Sequence, residues 1–497
     1  MKHIVFRSNA GDSALAMGGP IRNVVVVCFL AAILMVAKAA ASTVPHFGGE
    51  LRVEMSERTY SVDPRQWPST PAQAAAAERV DSLVFDRLTR LDEHGAVQPA
   101  LAISWQHDGQ SKRWQFRLRD GVKFSDGSTL TPPVAAIALQ QSLGNSFDVS
   151  ATSDSVVILS DRSVPDLPLR LASGRNYVFH AGEDGALAGT GPFRFTTIEE
   201  VGAATMMLFD ANDSCWAGRP FLDKIGLTLG VDFPQQANAI SFGQADVVEM
   251  PASEVRRTAQ RGVRTVSSEP VELFALALDT SRPGVQDARL RQAISLSIDR
   301  ASIADVILQR QGIVAGGLLP NWISGYAHLF HGASDLPRAK ELLAASGHEL
   351  SHSKPLALFY DSSDPEARAV ADRVAVNLRE VGIMVQVSGQ TLDGRTKPAA
   401  ADLRLVRHRI AAPDSAAALS DLLNSFGETA ADLDTPEQMY AAERAPIDAF
   451  RVIPLVHVSE SYGLSPQVRD WMAPRWGGWR LEDVWLGPPA ESGGNAR

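Results

Sequence analysis

From Val271 onward the chain repeats one pattern, an apolar strand followed by an amphipathic helix, and this repetition restricts that half to an α/β layered architecture. Leu273 to Leu278 is an apolar strand, and Asp287 is placed to cap a helix carrying Leu290, Ala293, Ile294 and Ile298. A helix over Pro337 to Ser346 stops at Gly347, and Leu356, Leu358 and Tyr360 mark the next strand. Pro365 to Val381 then sets Val370, Val374, Leu378 and Val381 on one stripe ahead of Gly382, a C-terminal stop. Ile383, Val385 and Val387 resume a strand.

The first half is patterned differently. Leu51 and Val53 alternate with Glu50, Arg52 and Glu54 as a first strand, Val62-Asp63-Pro64 turns, and Ala74 to Leu91 predicts a helix with Val80, Leu83, Val84 and Leu88 on one side. Trp114, Phe116 and Leu118 alternate with Gln115, Arg117 and Arg119, the period-two signature of a strand with one buried face. Asp120-Gly121 breaks it, and Val122 and Phe124 resume the alternation before Asp126-Gly127. The piece reads as a hairpin closed by residues that tolerate positive φ. Asn145 to Asp184 is rich in Asp, Ser and Pro. Gly189-Thr190-Gly191-Pro192 is a glycine-rich turn ahead of Phe193, and near the end Val452 to Val456 reads as a strand followed by Trp471, Trp476, Trp479 and Trp485.

At 497 residues the chain is too long for one core, and a prior of about 150 residues per unit suggests roughly three. Val24 to Ala37 is apolar, preceded by Arg22 and followed by the small-residue stretch Ala39-Ala40-Ala41, as in a cleavable secretory leader over residues 1–41; translation starts at Met1 or at Met17. The run is shorter than the ~20 apolar residues that span a bilayer. Cys28 lies inside it behind Val27 rather than at its end behind a small residue, so a periplasmic protein without a lipid anchor is expected. Loss of the leader removes Lys2, Arg7, Arg22 and Lys38 against Asp12, taking the formal net charge from −10 to −13 and arguing against a nucleic-acid partner. Cys215 then stands alone, so no intrachain disulfide forms.

Several stretches carry a resemblance. Pro99-Ala100-Leu101-Ala102 with Trp105 to Gly127 (WQHDGQSKRWQFRLRDGVKFSDG), then Gly189 to Phe195, and then LDTSRPGVQDARLRQAISLSIDR from Leu278 to Arg300 are similar to the shared blocks of the family 5 extracellular solute-binding proteins of ABC importers. That family includes dipeptide, oligopeptide and nickel-chelate receptors. The resemblance implies an α/β, two-lobed periplasmic-binding-protein fold with a ligand cleft between lobes joined by two strand crossovers. It places lobe I at 48–270 with a smaller inserted subdomain at roughly 68–190, lobe II at 271–452, a return to lobe I at 453–486 and a tail at 487–497. The implied function is capture of a peptide or peptide-like small solute, or of a metal chelate, for delivery to an inner-membrane ABC permease. The receptor would be a monomer without cofactor or covalent chemistry.

Peptide-binding members hold the peptide's α-ammonium on an Asp near a Trp-containing turn of the second lobe. The comparable stretch runs from Arg404 to Asp414; Asp414 fits the family's final Asp, while the Trp and the ligand-facing Asp fall near His408 and Ala411. The ammonium anchor is therefore missing there, and Arg404, Arg407, His408 and Arg409 make the stretch basic. This favours an anionic or uncharged ligand, unless those side chains turn to solvent or to Asp402. Trp322 and Tyr326, past the Gly316-Gly317 loop, and Trp67, past Asp63-Pro64, are stacking residues for a ligand or else members of the core or rim.

One motif argues for an enzyme. His348-Glu349-Leu350-Ser351-His352 is a literal H-E-x-x-H, which binds zinc when a helix puts both imidazoles on one face. Here Gly347 precedes it and Pro355 follows closely, leaving no room for that helix. His328 and His331 form a second pair with no carboxylate or Cys beside them to complete a metal site.

Overall fold

Side chains that alternate between core and water fix the register of the strand Glu50–Met55, which buries Leu51, Val53 and Met55 and exposes Glu50 and Arg52. A computed structural model describes residues 44–57, 61–68, 71–183, 185–346, 354–390, 400–412, 414–429, 433–475 and 478–488. The leader, the H-E-x-x-H pentapeptide, Pro413 and Trp476 lie outside the described residues.

Glu50–Met55 pairs in parallel with Lys224–Leu229 on one side and Val247–Met250 on the other. In the second half Leu356–Asp361 pairs in parallel with Val385–Gln390 and with Leu403–Arg409. Two long strands, Arg264–Leu278 and Val452–Leu464, run antiparallel between these groups and join them into one sheet. The outer end of Val452–Leu464 pairs with Val247–Met250, and the start of its length lies beside Glu272 to Ala277, which in turn pair with Leu403–Arg409.

Separate apolar cores form on either side of this junction. One gathers Leu51, Val53, Val80, Leu83, Phe209, Leu227 and the tail residues Trp471 and Trp479. The other gathers Phe274, Leu276, Ile294, Leu358, Val374 and Leu403. A third core, with Leu88, Trp114, Phe116, Phe124, Leu139 and Ile158, belongs to a subdomain built on a four-stranded antiparallel sheet. The α/β alternation after Val271 appears as expected: helices Ala288–Ser297, Leu336–Ala345 and Ala367–Glu380 lie between the strands, the first capped by Asp287.

Two expectations are corrected, for the hairpin and for the first helix, and two further features follow them. The strand Arg113–Leu118 takes its partners from Ala102–His107 and Ser155–Ser160, so the turn closing it lies upstream, at Asp108 to Ser111. Only the second Asp-Gly closes a hairpin, where the Phe124 amide donates to Ser128 and Gly127 adopts φ +87°. The first helix, Pro71–Val84, ends before Leu91, because Phe85 to Leu88 turn away to bury Leu88 in the third core and Thr89–Leu91 is extended. Asn145 to Asp184 contains the strands Phe147–Ala151 and Ser155–Ser160. The return strand leaves the second core later than residue 453, since Ile453, Leu455, Val456 and Val458 still pack in it.

The glycine-rich turn has a close-packing role. A Cβ at Gly189 would lie 1.9 Å from the Val84 carbonyl oxygen, and one at Gly191 would lie 2.7 Å from the Val84 carbonyl carbon. Bare backbone here lets the Gly191 amide donate to Val84 at 2.9 Å and dock the turn against the end of the first helix. Gly189→Ala is expected to lower stability by about 3 kcal/mol through this overlap, read as a reduced urea midpoint with an unchanged denaturation slope.

Candidate ligand-binding site

A cavity of about 620 Å³ opens where the first core, the subdomain, the tail and the sheet junction converge. The end of the first helix contributes Glu78 and Phe85, and the extended segment after it contributes Asp86, Arg87 and Arg90. Trp216 faces in from the subdomain side, Ser267 to Glu269 from the crossing strand, and Arg475 and Trp479 from the tail. Ala411 is the one contribution of the second lobe among the described lining residues.

Polar groups in the wall are held firmly. Arg87 donates to Glu78 at 2.7 Å and to the carbonyls of Ala172 and Gly174, with its guanidinium 4.0 Å from the Tyr177 ring centroid. Arg475 donates to Glu269 at 2.9 Å and to the Glu93 carbonyl, and lies 5.4 Å from the Trp322 ring centroid. It thereby connects the tail, the subdomain turn, the crossing strand and the second lobe.

Behind the cavity a chain of buried charges runs across the junction. Arg79, on the first helix, donates to Glu249 at 2.6 Å and to Glu460 at 2.7 Å. Glu460, on the returning strand, also accepts from Arg409 at 2.5 Å and from the Tyr462 hydroxyl at 3.2 Å. Burial alone would push the Glu460 carboxyl up, but Arg409 and Arg79 together hold it well below the usual carboxylate range. Next along, Arg407 pairs with Glu272 at 2.5 Å, Glu366 at 3.1 Å and Asp364 at 3.3 Å, and Glu366 accepts the Ser253 amide at 2.7 Å.

Comparison with known proteins bears directly on this geometry. The sequence model of the bacterial extracellular solute-binding proteins, family 5 (middle region), matches residues 96–429, well over half of the chain. The chain belongs to this family. A nickel-binding periplasmic protein of Escherichia coli (strain K12) is 26% identical over 362 residues, spanning 65% of this chain and 68% of the relative. NikA from Brucella suis, solved in complex with Fe(III)-EDTA, superposes with a TM-score of 0.75 at 20% identity, covering 88% of this chain and 100% of that one. The oligopeptide-binding protein AppA from Bacillus subtilis, in complex with a nonapeptide, gives a TM-score of 0.72 at 16% identity over 90% and 100%. The two-lobed α/β fold is thus that of the family.

In this solute-binding protein, none of the seven residues singled out from the sequence lines the cavity. Arg404 to Arg409 form not a turn but most of a strand, Leu403–Arg409, inside the sheet. Arg407 and Arg409 are neutralised by the carboxylates just described, and Asp402 pairs instead with Arg282 at 2.7 Å. Arg404 is exposed, and His408 is buried. The basis for an anionic preference in this stretch is therefore gone. Asp414 caps the helix Ser415–Ser425 by accepting from the amides of Ala416 and Ala417, a structural role. Trp67 packs on the first core. Trp322 donates its indole N–H to the Pro270 carbonyl at 2.9 Å and reaches the cavity only through Arg475. Tyr326 packs edge-on to Tyr440, its hydroxyl proton held by burial and by Glu443, whose own carboxyl is pushed up to about 7 by burial. His328 and His331 are exposed.

The lining residues missed by the sequence reading, Asp86 and Arg90 above all, sit in the stretch mistaken for helix. The one local signal was the run of three charges in the five residues from Asp86 to Arg90.

Removing the charge of Glu460 leaves the buried Arg409 without its carboxylate and takes from Arg79 one of its two. Glu460→Gln is expected to cost about 3–5 kcal/mol, measured by urea denaturation at pH 7. A pH dependence follows from His408 and His457, both kept neutral by burial and brought down to about 4 from 6.5. The unfolded chain takes up protons on these groups first, so their contribution is complete above pH 6.5 and is lost as pH falls toward 4. His408→Leu is expected to remove about 2 kcal/mol of that loss, seen as a smaller stability difference between pH 6.5 and pH 4.

Proposed function

We propose that this chain is the receptor of an ABC importer, exported to the periplasm as a monomer, and that it captures a peptide or peptide-like small solute in the cavity between its lobes for an inner-membrane permease. The observation that carries this reading is the cavity itself. Its volume of about 620 Å³ falls in the range of small-molecule sites, and it combines aromatic walls, Phe85, Tyr177, Trp216 and Trp479, with charged groups of both signs. A peptide offers matching chemistry, an apolar body with a charge at each end. Binding by enclosure and a few fixed polar contacts calls for no covalent step.

A chelate of a metal ion is the second reading, favoured by the E. coli nickel-binding relative. Such a ligand brings its own donor atoms. It would therefore not require the protein to supply a metal cluster, and among the described residues no group of three His, Cys, Asp or Glu is arranged as one.

Native mass spectrometry of the protein purified without denaturation is expected to show a bound organic molecule of peptide-like mass, released on unfolding. A released mass carrying a transition-metal isotope pattern would decide for the chelate. A protein that carries nothing, and that shows no thermal shift with peptides or with chelates, would overturn the receptor reading.

A further inference from the structure

The arginines buried at the lobe junction are met by carboxylates, but one buried in the second lobe is not. Arg300 is 5% exposed and forms no ion pair among the described residues. Its guanidinium is held by neutral oxygens instead. Nε donates to the Pro454 carbonyl at 2.7 Å, Nη1 to the carbonyls of Ser295 at 3.1 Å and Gly332 at 3.3 Å, and Nη2 to the Ser295 hydroxyl at 3.2 Å. Burial brings the group down to about 10 from 12.5, with no neighbouring charge acting against that fall. It therefore stays cationic at neutral pH, and its charge is desolvated without a counter-ion.

The surrounding backbone fixes this side chain in place. The Pro454 carbonyl lies where the ladder of the two long strands slips, Phe274 pairing with Val456 and Ala275 with Pro454. Gly332 can come close because it is bare: a Cβ there would lie 3.1 Å from Arg300 Cδ and 2.8 Å from the Ala315 carbonyl oxygen.

Arg300 and Ser295 line a cavity of about 350 Å³, together with Phe330, Tyr440 and Pro454. It shares no lining residue with the cavity between the lobes. Of its other ionisable lining groups, Arg444 and Asp448 satisfy each other at 2.7 Å, and His331 is exposed. Arg300 thus leaves the wall with an unbalanced positive charge. Two donors are also unspent. Nη2 carries two hydrogens and has one acceptor among the described residues, and the Ser295 hydroxyl, which is that acceptor, donates to none of them. Standing side by side, they can serve the oxygens of a single carboxylate or phosphate group in charge-assisted hydrogen bonds.

We infer that Arg300 and Ser295 form a second binding site, in the second lobe and apart from the solute cavity, for a small oxyanion, a carboxylate or a phosphate group. The bound anion supplies the missing counter-charge where the helix Ala288–Ser297, the loop at Gly332 and the returning strand meet, and it stabilises that lobe by binding only the folded chain.

Calorimetry at pH 7 with inorganic phosphate and with acetate, each against chloride at equal ionic strength, tests the site on wild type, Ser295→Ala and Arg300→Gln. Ser295 is half-buried and its hydroxyl bonds only Arg300 among the described residues, so Ser295→Ala keeps the fold even where Arg300→Gln does not; circular dichroism verifies this. Wild type is expected to take up one oxyanion per chain, with affinity 10-fold or more lower in Ser295→Ala and in folded Arg300→Gln. Preference for phosphate identifies a phosphate group as the ligand, and preference for acetate a carboxylate. No saturable uptake by folded wild type beyond that seen with chloride would overturn the site and leave Arg300 a clamp on three carbonyl oxygens. Uptake as tight in Ser295→Ala and Arg300→Gln as in wild type would overturn it too, placing the anion elsewhere.

Discussion

Glu460 is the point on which the two halves of this molecule are held together. It lies on a strand shared by both, and its two oxygens take the Arg79 guanidinium from one lobe and the Arg409 guanidinium from the other. Arg79 has Glu249 as a second partner, whereas Arg409 has no other carboxylate among the described residues, and the desolvation of these groups is tolerated because the charges alternate and are hydrogen-bonded. The continuation through Glu272, Arg407 and Glu366 extends the same logic into the second lobe. Such an arrangement adds little net stability over an apolar packing of equal volume. What it adds is a set of hydrogen-bonded contacts between elements of the two lobes.

That network also explains why the basic stretch misled the sequence reading. Three Arg and a His within six residues look like a surface facing an anion, and nothing local reveals that Glu272, Glu366 and Glu460, distant in the chain, arrive on neighbouring elements to meet them. Strand and helix identities were far more accessible. The stripe of Val370, Val374 and Leu378 and the cap at Asp287 depend on residues within a turn or two, and they appear where the periodicity puts them. The helix forecast to Leu91 failed at the point where a long-range contact, the burial of Leu88 in the subdomain core, overrode the local pattern. The cavity was invisible for the same reason. Its walls come from stretches far apart in the chain, and the shared signature from Trp105 to Gly127 supplies none of them, since Trp114, Phe116 and Phe124 are spent on the subdomain core.

The site and the scaffold therefore use charge in opposite ways. Across the junction Arg79, Arg407 and Arg409 are each paired with carboxylates and largely buried, and they set geometry. In the cavity wall most are matched too, while Asp86 and Arg90 form no salt bridge among the described residues. Trp479 touches both regions, lining the cavity while the Arg79 guanidinium lies 5.6 Å from its ring centroid.

The ladder between the two long strands is irregular where they pass from one lobe to the other. Its register slips between Ser267 and Pro270 and again before Glu272, and Pro270 has no N–H to give to its neighbour. Ser267, Ser268 and Glu269 are also part of the cavity wall. This irregular part of the ladder thus adjoins the cavity. Any change in the course of these strands therefore falls beside the cavity, where the ladder has the fewest regular hydrogen bonds to lose.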